Sequence, residues 1–280
     1  AHSTYQIGIR LHGGGIAGNV RLHQGFPSDI LDNKRNVVVY LPPSYDTDPK
    51  RKYPVLYLQD GQNVFDYRTS AFQMDWALDD AAERLIAHRR MAEIIMVGIY
   101  NTEHRFAEYT PPFETRTGRG RADEYGRFIV EELKPFIDRM YRTRPARRNT
   151  GILGSSLGGL CALYLSFEFS DVFGVAGAVS PSLWWGNGAM TRHIENESDL
   201  RGPDRLWLDM GTEEGKPRPG RHSYAIDQVR RLRTALEAIG YQEKRSLFYL
   251  EAKGGVHNER SWAERGPGML TSLFPHTRRL

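Results

Sequence analysis

Cysteine and long apolar runs are both scarce in this sequence, and each shortage excludes a class of protein. Only one cysteine, Cys161, occurs among the 280 residues, so neither a disulfide framework nor a cysteine-based zinc site is expected. Its place in the apolar segment GLCALYL is typical of a small core residue. The longest apolar runs, such as EIIMVGIY, fall short of the ~20 residues that a membrane helix needs. We therefore expect no membrane span.

A large excess of one charge is also missing. Lysine and arginine number 38 against 34 acidic residues, which gives a net charge of +4. The two signs are interspersed along the chain and no strongly basic helix or arm stands out, so no nucleic-acid partner is expected. The numbered N-terminus has no signal-peptide pattern. The compartment and the oligomeric state are left open.

Segments with the composition of buried strands alternate with helical patterns. The strand-like segments are NVVVYL (36–41), YPVLYLQ (53–59), EIIMVGIY (93–100), NTGILG (149–154), VFGVAGAVS (172–180), RLWLDMG (205–211) and RSLFYLE (245–251). Apolar stripes of helical period cover 76–88, 125–137 and 225–239, and the second is predicted to kink at Pro135. This alternation predicts an α/β fold in a single domain over residues 1–280, with helices on both faces of a mostly parallel sheet.

The N-terminal part departs from this alternation. NVRLHQG and NVVVYL are joined by FPSDILDNKR, which has no helical stripe. We therefore predict antiparallel strands at the start of the sheet. The segment TPPFETRTGRGRADE (110–124) is the longest irregular stretch and is a candidate loop beside a site.

The segment GILGSSLGGL (151–160) contains the pattern G-x-S-x-G between a predicted strand and a predicted helix. In a nucleophile elbow the serine occupies a sharp strand-to-helix turn, so the residues two before and two after it must be very small. Gly154 and Gly158 satisfy this rule for Ser156, whereas Leu153 and Leu157 would flank Ser155. Ser156 is therefore the candidate nucleophile.

A serine nucleophile needs a base, and the base needs an acid that orients it. RLWLDMGTEEG offers Asp209, Glu213 and Glu214 at the end of a predicted strand, and these three alternatives stay open on the pattern alone. His257 follows the last long strand after a Gly-Gly loop, where the base of this arrangement is expected. The other histidines after the elbow do not follow a strand end in this way.

Seven segments in order carry a resemblance to a known family: RNVVVYLPPSYD, KYPVLYLQDGQNVFD, EYTPP, GSSLGGL, SPSLWW, DMGTEEG and GGVHNERSW. Over about residues 17–275 the chain resembles the esterase family of α/β-hydrolases that includes esterase D, enterochelin-type esterases, feruloyl and acetyl-xylan esterases and the mycolyltransferases. The resemblance implies the α/β-hydrolase fold, Ser156 as nucleophile, Glu214 as acid and His257 as base. It implies no metal or organic cofactor. Glutamate in place of the commoner aspartate is a mild departure.

The resemblance also implies an oxyanion hole made of two backbone N–H groups. One belongs to Leu157 and the other to Gln62, with Gly61 as the close alternative. The tetrapeptide HGGG at 12–15 forms the oxyanion hole in another group of lipases, but here it precedes the first strand of the family pattern. We interpret HGGG as a loop without a catalytic role.

Three residues are candidates for contact with the substrate. Arg105 in the segment HRFAEYTP has an alternative structural role as a partner of Glu108, and Trp184 and Trp185 have an alternative role in loop packing. Together with the arginine-rich RTGRGRA they predict a cationic and aromatic cleft that favours aryl or anionic acyl groups.

The function predicted from these features is carboxylic-ester hydrolysis through an acyl-enzyme on Ser156. The substrate is expected to be a small acyl or aryl ester, of the feruloyl or catecholate kind. An acyltransferase with the same three residues and a non-catalytic binding module on the same fold are the alternatives.

Overall fold

A nine-stranded sheet lies at the centre of the computed structural model, which describes residues 8–13, 15–116, 118–197, 199–215 and 223–276. Its strands are β1 (Ile9–Arg10), β2 (Asn19–Ser28), β3 (Asn33–Leu41), β4 (Val55–Leu58), β5 (Ile95–Ile99), β6 (Thr150–Ser155), β7 (Val175–Val179), β8 (Arg205–Gly211) and β9 (Leu247–Ala252). They are ordered β1-β2-β3-β5-β4-β6-β7-β8-β9 across the sheet.

The pairing of the strands confirms the predicted mixed sheet. The pairs β1–β2, β2–β3 and β3–β5 are antiparallel, and every further pair from β5 to β9 is parallel. The carboxyl ends of β4 and β6 to β9 therefore meet at one edge, which is where ligands bind in open α/β sheets. Loops that follow β4, β6, β8 and β9 carry the residues singled out from the sequence.

Helices cover both faces of the sheet. They are α1 (Leu78–Ala87), α2 (Arg105–Tyr109), α3 (Ala122–Arg127), α4 (Lys134–Met140), α5 (Leu157–Glu168), α6 (Ala189–Asn196), α7 (Tyr224–Ala238) and α8 (Glu259–Leu273). Alternate residues of the strands enter two separate buried clusters: Tyr57 packs with α3 to α7, whereas Leu56 and Leu58 pack with α1 and α8. Apolar burial on both faces explains the near-continuous apolar strands.

The predicted helices at 76–88 and 225–239 correspond to α1 and α7, and Gly240 follows α7 with a φ of +103°. The stripe at 125–137 corresponds to a continuous helical run in which a π-helical segment, Phe128–Leu133, joins α3 to α4. Pro135, the position of the predicted kink, lies just after this segment. At the boundary the Lys134 N–H donates to the Ile129 carbonyl, five residues earlier, which is the hydrogen bond of a π-helix. Across the described residues, no helix combines the length and apolarity that crossing a membrane requires.

Candidate active site

Ser156 lies in the turn between β6 and α5. Its φ of 56° and ψ of −124° are a strained backbone conformation for a residue with a side chain. A Cβ atom at Gly154 would lie 2.4 Å from the carbonyl oxygen of Gly158, so β6 and α5 could not approach this closely with a side chain there. A Cβ atom at Gly158 would crowd Gln59, at 3.0 Å from its Cβ. The spacing of the glycines thus produces the turn that exposes Ser156 to the cleft.

Ser156, His257 and Glu214 form a row of hydrogen bonds. The Ser156 Oγ is 2.9 Å from His257 Nε2, and His257 Nδ1 is 2.7 Å from Glu214 Oε2. Because a carboxylate only accepts hydrogen bonds, Nδ1 carries the imidazole proton and Nε2 is left to accept from the serine hydroxyl. The imidazole also contacts the Trp262 ring edge-on, with 5.0 Å between ring centroids. These contacts hold the imidazole between the hydroxyl and the carboxylate.

The Glu214 carboxylate is buried and fully supplied with hydrogen-bond donors. Its Oε1 accepts from Ser180 Oγ at 2.5 Å, from the Gly211 N–H at 2.9 Å and from Arg265 Nη2 at 3.2 Å. Burial alone would raise the pKa of Glu214, but the hydrogen bonds from His257 and Ser180 outweigh it and leave the pKa below its ordinary value. Glu214 is therefore charged at neutral pH and can stabilise a protonated imidazole.

The two alternative acids lie elsewhere. Asp209 is fully buried and accepts from the Ser180 N–H, from Arg265 Nη1 and from Trp207 Nε1. Glu213 is exposed, and its backbone N–H donates to the Gly255 carbonyl. Of the three carboxylates left open by the sequence, Glu214 is the one that contacts His257.

The two predicted oxyanion groups belong to α5 and to the loop after β4. Leu157 is the first residue of α5, where a backbone N–H has no partner within the helix. Gln62 belongs to a short 3-10 turn, Gly61–Asn63, directly after β4, and it lines the same cleft as Ser156. Gly61 instead packs against β5, since a Cβ atom there would lie 2.3 Å from the Gly98 carbonyl carbon. Of the two alternatives, Gln62 lines the cleft and Gly61 does not.

The cleft in front of Ser156 has a volume of about 580 Å³. Its lining includes the polar residues Asp60 and Arg105 and the large apolar residues Phe72, Met74 and Trp262. Phe72 exposes 70% of its surface. The cleft therefore offers both polar and apolar side chains to a ligand.

Arg105 lines the cleft, but its partner differs from the alternative considered from the sequence. Its guanidinium forms two hydrogen bonds of 2.7 Å to the Asp60 carboxylate. Glu108 instead binds the buried guanidinium of Arg35, with a shortest distance of 2.8 Å. Arg105 therefore presents a neutralised ion pair to the cleft rather than a free cation.

The remaining residues of the predicted cationic and aromatic cleft do not line it. Trp185 is buried beside Phe113, and Trp184 exposes 55% of its surface outside the set of lining residues. Arg119 and Arg121 are exposed and pair with carboxylates of α3. Their charges are screened by solvent and by these partners, which is why they add little to the cleft.

The HGGG tetrapeptide lies in the connection between β1 and β2, and its Gly14 falls outside the described residues. Gly13 and Gly15 have positive φ values of 75° and 81°. The His12 carbonyl accepts a hydrogen bond from Arg68. The glycines thus have a conformational reason to be present.

In the part of the chain with described coordinates, no cluster of histidine, cysteine or acidic residues has the arrangement of a metal site.

The sheet order, the strand-to-helix turn and the cleft at the carboxyl edge define an α/β-hydrolase. The chain matches the family described as "Putative esterase" over residues 28–273 and belongs to it. Membership in this family assigns the chain to the carboxylic-ester hydrolases.

Three relatives place the chain within this group. The uncharacterized protein YbbA of Bacillus subtilis (strain 168) is 28% identical over 262 residues, which cover 91% of this chain and 98% of YbbA. The Ferri-bacillibactin esterase BesA of the same organism is 28% identical over 217 residues, or 71% of this chain and 72% of BesA. The structure of a ferulic acid esterase superposes with a TM-score of 0.69 at 20% identity, over 91% of this chain and 97% of that one. At this identity the structural likeness shows the fold.

Proposed function

We propose that the protein hydrolyses carboxylic esters through an acyl-enzyme formed on Ser156, with His257 as the general base and Glu214 as the residue that orients it. The observation that carries this proposal is the uninterrupted row of hydrogen bonds from the Ser156 hydroxyl through His257 to the buried Glu214 carboxylate. A nucleophile, a base and an orienting acid within hydrogen-bond distance are the geometric requirement for activating a serine.

The reaction begins when Ser156 Oγ attacks the ester carbonyl carbon and His257 Nε2 takes the hydroxyl proton. The imidazolium then faces the charged Glu214, which stabilises it without taking its proton. The tetrahedral oxyanion is bound by the N–H groups of Leu157 and Gln62, each worth ~3 kcal/mol of transition-state stabilisation. His257 returns the proton to the leaving alcohol, and the acyl group remains on Ser156.

Deacylation repeats these steps with water as the nucleophile. His257 removes a proton from water as the water oxygen adds to the acyl carbon. The new tetrahedral intermediate then expels Ser156 Oγ, which takes the proton back from His257, and the acid is released. The exposed fraction of the His257 side chain, 46%, leaves room for water to reach Nε2. An acyltransferase would use the same residues but transfer the acyl group to an alcohol acceptor.

The proposed substrates are small acyl and aryl esters, including feruloyl and catecholate types. Phe72, Met74 and Trp262 in the lining of the cleft offer aromatic and thioether surface for a planar acyl group. The Asp60–Arg105 pair in the same cleft offers polar atoms for ring hydroxyls. The relative BesA is a Ferri-bacillibactin esterase, and the superposed structure is that of a ferulic acid esterase.

The experiment compares Ser156→Ala with Ser155→Ala, a matched neighbour on the same turn. Ser156→Ala should lower kcat by roughly 10⁴-fold or more, whereas Ser155→Ala should cost far less. Mass spectrometry after treatment with an aryl phosphonate should place one adduct on Ser156. An adduct on Ser155, or no adduct at all, would contradict the proposal, and the second result would favour a non-catalytic binding module.

The substrate class is tested on the unmodified protein with four esters: methyl ferulate, a 2,3-dihydroxybenzoyl-serine ester, p-nitrophenyl acetate and p-nitrophenyl octanoate. The two aryl acyl esters should have the highest kcat/KM relative to their uncatalysed rates. A tenfold preference for octanoate would contradict the aryl class and leave the acyl-enzyme intact. Adding an alcohol acceptor during turnover separates hydrolysis from transfer, because transfer forms a new ester.

A further inference from the structure

A buried ionic cluster lies directly behind Glu214, on the side away from His257. Arg265 of α8 donates to Asp209 Oδ1 at 2.6 Å and to Glu214 Oε1 at 3.2 Å. Ser180, directly after β7, contacts all three of these side chains. Its Oγ donates to Glu214 and accepts from Arg265 Nη1 at 3.0 Å, and its backbone N–H donates to Asp209 Oδ1 at 3.0 Å. Trp262 Nε1 also donates to this hydroxyl. We call Arg265, Asp209 and Ser180 the Arg265 cluster.

The charged residues of the cluster and the neighbouring Glu214 are almost completely removed from solvent. The side chains of Arg265, Asp209 and Glu214 are 4%, 0% and 3% exposed. Buried charges are costly unless they are paired, and apolar side chains of similar volume would often stabilise a fold at least as well. Stability alone is therefore a weak reason for a buried guanidinium between Glu214 and Asp209, and an effect on His257 through Glu214 is the alternative use.

The sum of charges indicates that use. Burial raises the pKa of Asp209, whereas Arg265, Trp207 and the Ser180 N–H act in the opposite direction. With Asp209 and Glu214 ionised, two carboxylates and one guanidinium leave the buried group with one net negative charge while His257 is neutral. Protonation of His257 during the reaction brings the sum to zero. Removal of Arg265 would take one positive charge from this group and so favour the protonated imidazole.

Other charged groups also act on His257. Glu259 at the start of α8 is buried, and the Asp60–Arg105 pair lies in the same cleft. Glu259 is held by Asn63, whose amide donates to its Oε1 at 3.4 Å, and Asp60 and Arg105 neutralise each other. Arg265 is the cation that contacts the carboxylate bound to the imidazole.

We propose that Arg265 is a positioning residue for the reaction: it fixes the Glu214 carboxylate against His257 and, through its charge, keeps the resting imidazole unprotonated and ready to accept the serine proton. This inference rests on the proposed function, since it needs His257 to act as a base. It adds a third element, α8, to the two loops that carry the acid and the base.

The test measures kcat/KM from pH 4.5 to 9 for charge-changing variants. Arg265→Met should move the acidic limb of the profile to higher pH by about half to one unit, because a lost positive charge favours the protonated imidazole. Asp209→Asn should move the same limb to lower pH, because it removes a negative charge from the same cluster. Arg265→Lys should leave the limb in place and lower kcat, since the charge is kept and the two-pronged geometry is lost.

The matched control is Arg233→Met on α7. Arg233 also lies between two carboxylates, at 2.8 Å from Glu237 and 2.7 Å from Glu243, but its side chain is 34% exposed. Its removal should leave the pH profile unchanged. If Arg265→Met does not fold, the test compares the other two variants: the acidic limb should move to lower pH in Asp209→Asn and stay in place in Arg265→Lys.

Two results distinguish this inference from the proposed function. A limb that stays in place in both Arg265→Met and Asp209→Asn, with reduced melting temperatures, would show a role in packing alone and overturn the inference. In that case phosphonate labelling of Ser156 would still support the acyl-enzyme. Loss of labelling in the unmodified protein would instead overturn the proposed function.

Discussion

Replacing Glu214 by glutamine changes one atom of the side chain and tests the role of the carboxylate in the row of hydrogen bonds. The orientation of the new amide is determined by the three donors that converge on Oε1, from Ser180, Gly211 and Arg265. An amide NH₂ turned toward them would leave buried donors unpaired, at about 1–3 kcal/mol each. The orientation with the amide oxygen at the position of Oε1 should therefore be favoured over the flipped one by at least ~3 kcal/mol, a population ratio of more than a hundredfold.

This orientation places the amide NH₂ opposite His257 Nδ1, where Glu214 Oε2 now lies at 2.7 Å. Nδ1 must then accept a hydrogen bond, so the imidazole proton moves to Nε2. A protonated Nε2 cannot take the proton of the Ser156 hydroxyl. We expect Glu214→Gln to lower kcat by about 10²–10⁴-fold while KM changes little, because binding in the cleft does not use this carboxylate.

The assay combines steady-state hydrolysis of an aryl ester with thermal unfolding followed by circular dichroism. Glu213→Gln is the matched control, since Glu213 is exposed and adjacent in the chain. The variant should keep the fold, although loss of the charge beside Arg265 costs about 1–3 kcal/mol. If Asp209→Asn abolishes turnover and Glu214→Gln leaves it within tenfold, the assignment of the acid is wrong.

Two further variants test groups other than Ser156, His257 and Glu214. His12→Ala should leave kcat/KM within about threefold, because Arg68 binds the His12 backbone carbonyl, which the variant retains; a large loss of kcat at an unchanged melting temperature would place the HGGG loop at the site. Burial, and then the charge of Arg21, lowers the pKa of His23 from 6.5 to about 4. The unfolded chain therefore binds the proton first as pH falls, so His23 costs the native protein stability between pH 6.5 and 4, by about 3 kcal/mol when complete. The difference in unfolding free energy between the natural protein and His23→Gln, measured in urea, should narrow by that amount from pH 7 to pH 4, and a constant difference would contradict the reasoning.

The sheet and the strand-to-helix turn at Ser156 were predictable because both depend on local patterns. Strands covered on two faces carry few charged side chains, and every residue of β4 to β7 is buried. The choice of Ser156 over Ser155 required only the steric rule for residues two positions away. The contact between Gly154 and Gly158 supplies its physical reason.

Contacts between distant segments were not predictable. The hydrogen bond from Arg265 to Ser180 joins residues 85 positions apart, and no sequence pattern predicts a contact over that separation. Helix α8 was not recognised because Pro267 and its flanking glycines are typical of a turn. Arg105 and Glu108 are neighbours on one helical turn, yet each binds a partner from another part of the chain, Asp60 and Arg35. Buried ion pairs of this kind depend on tertiary approach rather than on sequence distance.

The two glycine-containing loops that carry Glu214 and His257 are physically coupled. A Cβ atom at Gly211, just before the Glu214 loop, would lie 2.3 Å from the carbonyl oxygen of Gly255 in the His257 loop and 2.7 Å from Glu214 Oε1. The backbone then joins the loops, with the Glu213 N–H donating to the Gly255 carbonyl and the Thr212 N–H to that of Ala252. A side chain at Gly211 would therefore separate the acid from the base even though neither residue had changed. The close approach of the loops, rather than either motif alone, places the Glu214 carboxylate within hydrogen-bond distance of the imidazole.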